Sequence, residues 1–335
     1  MNPTRKLPTG RPKRSAAWIG GLVCLAAVAI PATAPAPARA STTEAELRRV
    51  VAWQIALDRI GFSPGLIDGR LGPKTRLATR EFQRVRGLPQ SGQLDNATRE
   101  ALRVDPANAF GRYTIVQADL NEIGPAPESW LARSKLQRLG HASLVEVIAE
   151  KFHCHTRLLA TLNPGRNIAN MKPGDRVVVP AVSERDDWPR ASAVEINLSS
   201  KVVRLIDNER RLIALFHCSV AANESNLPSR DTRVSTIVEN PWYTFDPAMY
   251  PEVDEGITGK LSIPPGPRSP VGRYWIGLEL RGYGIHGTPQ PEMIGRTGSR
   301  GCFRLTNWDA RRVSKMVRVG TPVRFVRRPE PGLAP

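Results

Sequence analysis

The sequence predicts a multidomain chain: a small three-helix bundle, an α+β module and a mainly-β, sandwich-like domain. Three observations carry this. Apolar residues between positions 50 and 102 recur at helical spacing, residues 112–182 read as strand, helix, helix and strand, and residues 192–328 are dominated by period-two alternation. Composition breaks at Asp105-Pro106 and at Asp186-Asp187-Trp188-Pro189 separate the stretches. The expected organisation is a leader at 1–40, helical domain at 44–104, α+β module at 112–182 and β-rich domain at 192–328.

The leader reads as a cleavable secretory signal. Arg5, Lys6, Arg11, Lys13 and Arg14 form a basic start, Ala16 to Ile30 is apolar, and Ala38-Arg39-Ala40 has the small-x-small form of a cleavage site. The apolar run is shorter than the roughly 20 residues of a transmembrane helix, so no membrane span is expected after cleavage. Leu22-Val23-Cys24 lacks the small residue expected before a lipidated cysteine. Removing residues 1–40, which hold six basic and no acidic side chains, takes the net charge from +17 to +11. Such a surplus suits an anionic polymer, and export excludes nucleic acid as the partner. Three cysteines then remain, Cys154, Cys218 and Cys302, and an odd number in an oxidising compartment leaves at least one thiol free.

In the first unit Val50, Trp53, Leu57 and Ile60 mark one amphipathic helix, and Thr75, Ala78, Phe82 and Val85 mark a second. Gly61, Pro64-Gly65 and Asp68-Gly69 punctuate the loop between them, and Asp95 is placed to N-cap a third helix ending near Leu102. Asp68, Gly69, Gly72 and Thr75 are read as turn and cap residues. The second unit has a strand at Tyr113-Thr114-Ile115, helices at Ser143 to Lys151 and Thr156 to Asn163, and a strand within Lys172 to Pro180. Its His153-Cys154-His155 run is not a metal site, because three adjacent ligands do not converge on one ion. A buried thiol flanked by surface imidazoles is expected instead.

In the third unit Val194, Ile196 and Leu198 alternate with polar residues, and a hairpin follows through Val202 to Ile206 and Leu212 to Val220. Further strands are expected at Arg233 to Val238, Tyr274 to Leu280 and Pro322 to Val326, with a short helix near Trp308 to Val317. His217 and Cys218 fall within a strand and are read as structural. A long proline- and aromatic-rich stretch from Asn240 to Pro270 either covers a site or braces the domain.

The chemistry concentrates near the C-terminus. His286-Gly287-Thr288 precedes Ser299-Arg300-Gly301-Cys302-Phe303-Arg304-Leu305, with sixteen positions from histidine to cysteine. These residues supply a base, a nucleophile and a cation for a substrate carboxylate, which is the outline of a thiol acyltransferase. Papain-like peptidases place the cysteine first. A free thiol is only a few per cent ionised at neutral pH, so Cys302 needs a neighbour such as His286 to take its proton. Backbone N–H groups around Gly301 and Cys302 are placed to receive an oxyanion.

This motif resembles that of the YkuD-type L,D-transpeptidases, which remodel bacterial peptidoglycan. The string LIDGRLGPKTRLATREFQRVRGLPQSGQLDNATREAL resembles a peptidoglycan-binding domain, and LLATLNPG followed by MKPGDRVVVP resembles a LysM-type glycan-binding module. The order of modules, with a proline-rich segment before YWIGLELRGYGIHGTPQPEMIG, looks most like the ErfK/YbiS/YcfS/YnhG group. The resemblance implies Cys302 as nucleophile, His286 as general base, and the Gly287 carbonyl as the group orienting the histidine ring. It implies oxyanion stabilisation at Gly301 and substrate contacts from Arg304, Arg300 and Ser299, with no metal and no cofactor. Arg300 departs from the histidine found in many members. The implied reaction joins stem peptides through meso-diaminopimelate with release of D-Ala, in the periplasm of a Gram-negative cell. An L,D-carboxypeptidase, an enzyme attaching or releasing an outer-membrane lipoprotein, and a non-catalytic wall tether remain alternatives.

Overall fold

The computed structural model describes residues 44–328; the leader expected at 1–40 lies outside them. No helix among the described residues is long and apolar enough to cross a membrane.

Helices α1 (Glu44–Arg59), α2 (Pro73–Val85) and α3 (Asn96–Leu102) form the expected bundle. Trp53 and Leu57 of α1 pack with Leu77 and Phe82 of α2 and Leu102 of α3. Each such side chain contributes roughly 1.5–3 kcal/mol on burial. The connecting loop is held by Gln54, whose Oε1 accepts from the Asp68 and Gly69 N–H groups at 3.1 and 2.9 Å. Asp68 and Gly69 are thus turn residues. Asp95 caps α3, accepting from the Thr98 N–H at 2.7 Å.

The middle segment pairs β1 (Phe110–Thr114) antiparallel with β2 (Arg176–Pro180). Between them lie α4 (Gln117–Asn121), α5 (Trp130–Ser134), α6 (Leu144–Lys151) and α7 (Thr156–Leu162). Ser143 N-caps α6 as its position suggests. The stretch from Ala118 to Leu139, which contains α5, reaches beyond this unit and is considered below.

The remaining strands are β3 (Ala193–Asn197), β4 (Val202–Ile206), β5 (Leu212–His217), β6 (Thr232–Glu239), β7 (Tyr243–Phe245), β8 (Leu261–Ile263), β9 (Tyr274–Leu278), β10 (Gly284–His286) and β11 (Phe303–Arg304). Helix α8 (Asn307–Met316) and β12 (Pro322–Val326) follow. Eight of these strands form one sheet in the order β11-β10-β9-β6-β12-β3-β4-β5. The sandwich expected from alternation is therefore a single curled sheet. Its two ends are stitched together just past β5, where the Ser219 N–H donates to the Arg304 carbonyl at 2.9 Å and the Arg304 N–H to the Ser219 carbonyl at 3.0 Å. Curling encloses Ile196, Val203, Phe216, Ile276 and Phe303 with Ala310, Val313 and Met316 of α8. Alternation reports which residues face inward, and both a sandwich and a curled sheet satisfy it.

The three regions share cores. Val202, Leu212 and Leu215 of the sheet pack into the cluster of α1 and α2. The loop after α1 covers the β5 edge, with the Ser63 N–H donating to the Leu215 carbonyl and the Leu215 N–H to the Gly61 carbonyl, both at 2.8 Å. A buried ionic cluster ties all three together. Arg312 of α8 donates to both carboxylate oxygens of Asp58 in α1, at 2.7 and 2.9 Å. His153 lies 3.0 Å from Asp58 and 2.7 Å from Glu184, with its ring stacked on Trp308. The expectation of surface imidazoles thus fails for His153, which is buried because carboxylates from two other segments close over it. Cys154 is buried as expected.

Candidate active site

Strands β10 and β11 run parallel with Ile285 opposite Phe303 and His286 opposite Arg304. Ile285 and Phe303 point into the core. The pleat therefore turns His286 and Arg304 to the other face, and Cys302, two residues before Arg304, joins them. All three line one cleft of about 1010 Å³, which Ser299, Arg300 and Gly301 also border.

His286 is buried, and its Nδ1 lies 2.7 Å from the Gly287 carbonyl. A carbonyl only accepts, so Nδ1 carries the proton and Nε2 is left with its lone pair. The ring stacks on Trp275, its cross-strand neighbour on β9, at 5.6 Å between centroids. Burial lowers the imidazole pKa to about 4, against the Gly287 carbonyl, which favours the charged form. His286 is thus neutral at pH 7.

Cys302 is half-buried, the other two described cysteines being fully buried. Its thiol donates to the Gly282 carbonyl at 3.5 Å. Burial raises its pKa to about 11, while the Gly284 N–H and the Arg304 charge pull the other way. A thiol in this state is almost wholly protonated at neutral pH, so a neighbouring base decides whether it becomes a nucleophile.

The remaining expected residues divide by what they touch. The Ser299 hydroxyl donates to the Cys302 carbonyl and accepts from the Gly301 N–H at 3.2 Å, so it fixes the turn that presents the thiol. The Gly301 N–H is thereby already engaged. Gly301 has φ of +154°, a conformation that side-chain-bearing residues rarely adopt. Arg300 donates to the Met249 carbonyl and to Glu252, and its guanidinium lies 4.3 Å from the Tyr250 ring centroid. It therefore grips the proline-rich segment. Arg304 donates to the Thr297 and Gly298 carbonyls, while its buried Nε has no protein partner. It has no carboxylate partner among the described residues, which leaves its charge in the cleft.

The segment from 240 to 270 borders the site, and its apolar side chains pack against the middle segment rather than into the core of the sheet. Trp242, Tyr243, Met249 and Tyr250 line the cleft, while Phe245 and Ile263 of the β7–β8 hairpin pack with Leu139 as a separate small core. His217 is buried with its pKa lowered by burial to about 3, and Cys218 is raised by burial to about 12, consistent with structural positions.

One contributor had no local signal. Asn307, at the start of α8, donates to Glu150 at 2.8 Å and to the Pro267 carbonyl at 3.2 Å. Its Oδ1 lies where a Cβ on Gly287 would sit. The Gly287 backbone, which carries the carbonyl that meets His286, thus packs at its Cα against a residue from a distant segment. Gly287→Ala is expected to displace that carbonyl and lower acyl transfer by about 10²-fold. Acylation kinetics alongside a melting curve check this, and an active, fully stable alanine variant would refute it.

Comparison with known proteins agrees with this geometry. Residues 191–325 match the family described as "L,D-transpeptidase catalytic domain" (YkuD), and residues 48–102 match "Putative peptidoglycan binding domain". The chain is 28% identical over 179 residues to "Putative L,D-transpeptidase YkuD" of Bacillus licheniformis, covering 53% of this chain and 91% of that protein. It is 26% identical over 176 residues to the protein of the same name in Bacillus subtilis, covering 52% and 89%. A stretch of 67 residues is 44% identical to "Probable L,D-transpeptidase YbiS" of Escherichia coli K12, covering 20% of this chain and 22% of that one. His286 and Cys302 lie within the first of the matched regions, as does most of the lining of their cleft. Residues 191–325 are therefore an L,D-transpeptidase catalytic domain of the YkuD type, carried in one chain with a peptidoglycan-binding domain at residues 48–102.

Proposed function

We propose that the protein is a periplasmic peptidoglycan L,D-transpeptidase that works through a Cys302 thioester. The observation that carries this is a neutral His286, with its Nε2 lone pair left free by the Gly287 contact, sharing a cleft with the one described cysteine that is not fully buried. His286 Nε2 takes the thiol proton as sulfur attacks the carbonyl between the L-centre of meso-diaminopimelate and the terminal D-Ala. The oxyanion is met by the Cys302 N–H, since Ser299 occupies that of Gly301. Collapse breaks the C–N bond, and the proton held on His286 passes to the departing D-Ala amine. In the second half, the side-chain amine of another stem attacks the thioester, gives its proton to His286, and the C–S bond breaks as the thiol is restored. Arg304 supplies a charge for a substrate carboxylate, and Arg300 and Ser299 shape the site rather than bind substrate.

The middle segment supports a LysM-like reading, with two paired strands enclosing α6 and α7, and so a second grip on glycan. The 67-residue match to the Escherichia coli protein supports placement near the ErfK/YbiS group. Domain limits of 44–104, 112–182 and 192–328, after a cleaved leader at 1–40, belong to the same proposal.

Mass spectrometry of a disaccharide-tetrapeptide incubated with the mature protein tests it, with Cys302→Ala as control. A cross-linked dimer with loss of D-Ala is expected from the wild type alone. A tripeptide without dimer would make the enzyme an L,D-carboxypeptidase. Absence of any Cys302-dependent product would leave lipoprotein linkage or wall tethering.

A further inference from the structure

The stretch from Ala118 to Leu139 is longer than a strand-helix-helix-strand unit needs, and the structure shows where its excess goes. Trp130 of α5 stacks on Phe245 at 4.2 Å between centroids and lies 5.6 Å from Tyr250. Glu255, from the segment joining β7 and β8, accepts from the Ser129 hydroxyl at 2.8 Å and from the Trp130 and Leu131 N–H groups at 3.0 and 3.1 Å. The backbones are joined as well. The Leu139 N–H donates to the Pro265 carbonyl at 2.9 Å and the Arg268 N–H to the Leu139 carbonyl at 3.3 Å. A Cβ on Gly266 would collide with that same Leu139 carbonyl. The middle unit is thus locked onto the proline-rich segment.

One result is that Arg133 of α5 and Arg268 both line the catalytic cleft. Arg133 stands 5.2 Å from the Trp130 ring centroid and donates from Nε to the Pro127 carbonyl at 2.9 Å. Its two terminal nitrogens make no hydrogen bond or ion pair with the described residues. The nearby acids do not satisfy it: Glu255 is committed to the start of α5, Glu128 forms no ion pair with it, and Glu146 is taken by Arg268 at 3.0 Å. Burial and the Arg268 charge both bear against the Arg133 cation, with Glu255 and Glu128 opposing them. Like charges held together in a half-buried cleft are the usual arrangement of an anion site. Aromatic stacking and backbone pairing preorganise it.

We propose that Arg133 and Arg268 form a second carboxylate subsite that seats the acceptor stem peptide, so that the non-catalytic middle unit completes the substrate cleft. This rests on the transpeptidase reading above. The donor carbonyl must lie at Cys302 with Arg304 at hand. An acceptor has to reach the same thioester from elsewhere, and Leu139, Pro270 and Val271 line the part of the cleft contributed by the same segments as the arginine pair. The fitting ligand group is the carboxylate beside the free amine of the acceptor's diaminopimelate. The Arg133 charge, which has no ion-pair partner among the described residues, also favours the neutral, nucleophilic form of that amine.

The test is calorimetric binding of a disaccharide-tripeptide to the full mature chain carrying Cys302→Ala. The comparison ligand has the carboxylate beside its free amine converted to a carboxamide. The parent is expected to prefer the carboxylate about tenfold, as a charge-assisted bidentate contact implies. Arg133→Gln should bring that preference close to onefold, and Arg133→Lys should restore part of it. A preference that survives Arg133→Gln, or one absent from the parent, overturns the proposal. Melting curves of the Arg133 variants guard against misfolding, and Arg133→Lys keeps the comparison valid if the glutamine variant is unstable. Binding does not need turnover, so failure of the wild type to release D-Ala would remove the transpeptidase reading separately.

Discussion

Replacing His286 by glutamine is expected to slow acyl-enzyme formation by about 10²–10⁴-fold, the range for losing a positioned general base. The reason lies in two opposed shifts. Burial holds His286 neutral, with a pKa of about 4, and holds the Cys302 thiol protonated, with a pKa of about 11. In the wild type the rate should therefore climb as pH rises through about 4, where His286 loses its proton, and then level off. Without the imidazole the rate should follow the thiolate fraction alone, rising tenfold per pH unit through neutrality towards about 11. Stopped-flow acylation or alkylation of Cys302 between pH 3 and pH 11, on wild type and variant, reads both curves. Matching profiles for the two proteins would sink the assignment of His286 as base.

The second large effect concerns stability. Arg312 lies wholly inside the protein, between Asp58, Asp309 and Glu184. Burial alone would raise the Asp58 pKa, but the Arg312 and His153 charges overcome it and hold the carboxylate well below its usual range. Arg312→Ala leaves that carboxylate buried with only His153 to answer it. The expected cost is about 3–5 kcal/mol, read from urea or thermal unfolding. The sign of the pH dependence follows. Without Arg312, burial raises the folded-state pKa of Asp58 above its unfolded value, so the variant regains stability as pH falls and Asp58 is protonated. Its deficit should be largest at pH 7 and smaller near pH 4.5. Arg312→Met combined with Asp58→Leu should cost less than the single change, because the Asp58 carboxylate is no longer left buried without its guanidinium. A deficit under about 1 kcal/mol, or one that widens on acidification, would show that the cluster does not join the three regions as described.

Much of the local structure was legible in the chain. Asp95 and Ser143 announced helix starts that the structure keeps, and the spacing of Val50, Trp53 and Leu57 gave both the helix and its buried face. The alternation at Val194, Ile196 and Leu198 gave a strand and its inward side. The candidate site was legible for the same reason: its core residues are close in sequence and need only two short parallel strands to meet. His153 misled because a histidine flanked by polar neighbours reads as exposed, whereas its carboxylate partners come from Asp58 and Glu184, both distant from the local pattern.

What the sequence determined by itself was many of the helices and strands and their inward faces, and it named the candidate reacting groups, through short-range periodicity, capping chemistry and side-chain type. Tertiary structure alone decided that the β domain is one curled sheet, that Arg300 grips the proline-rich segment, that Asn307 backs Gly287, and that Arg133 reaches the catalytic cleft. Each of these depends on which distant surfaces fit together, and that packing is a property of the assembled chain rather than of any local pattern.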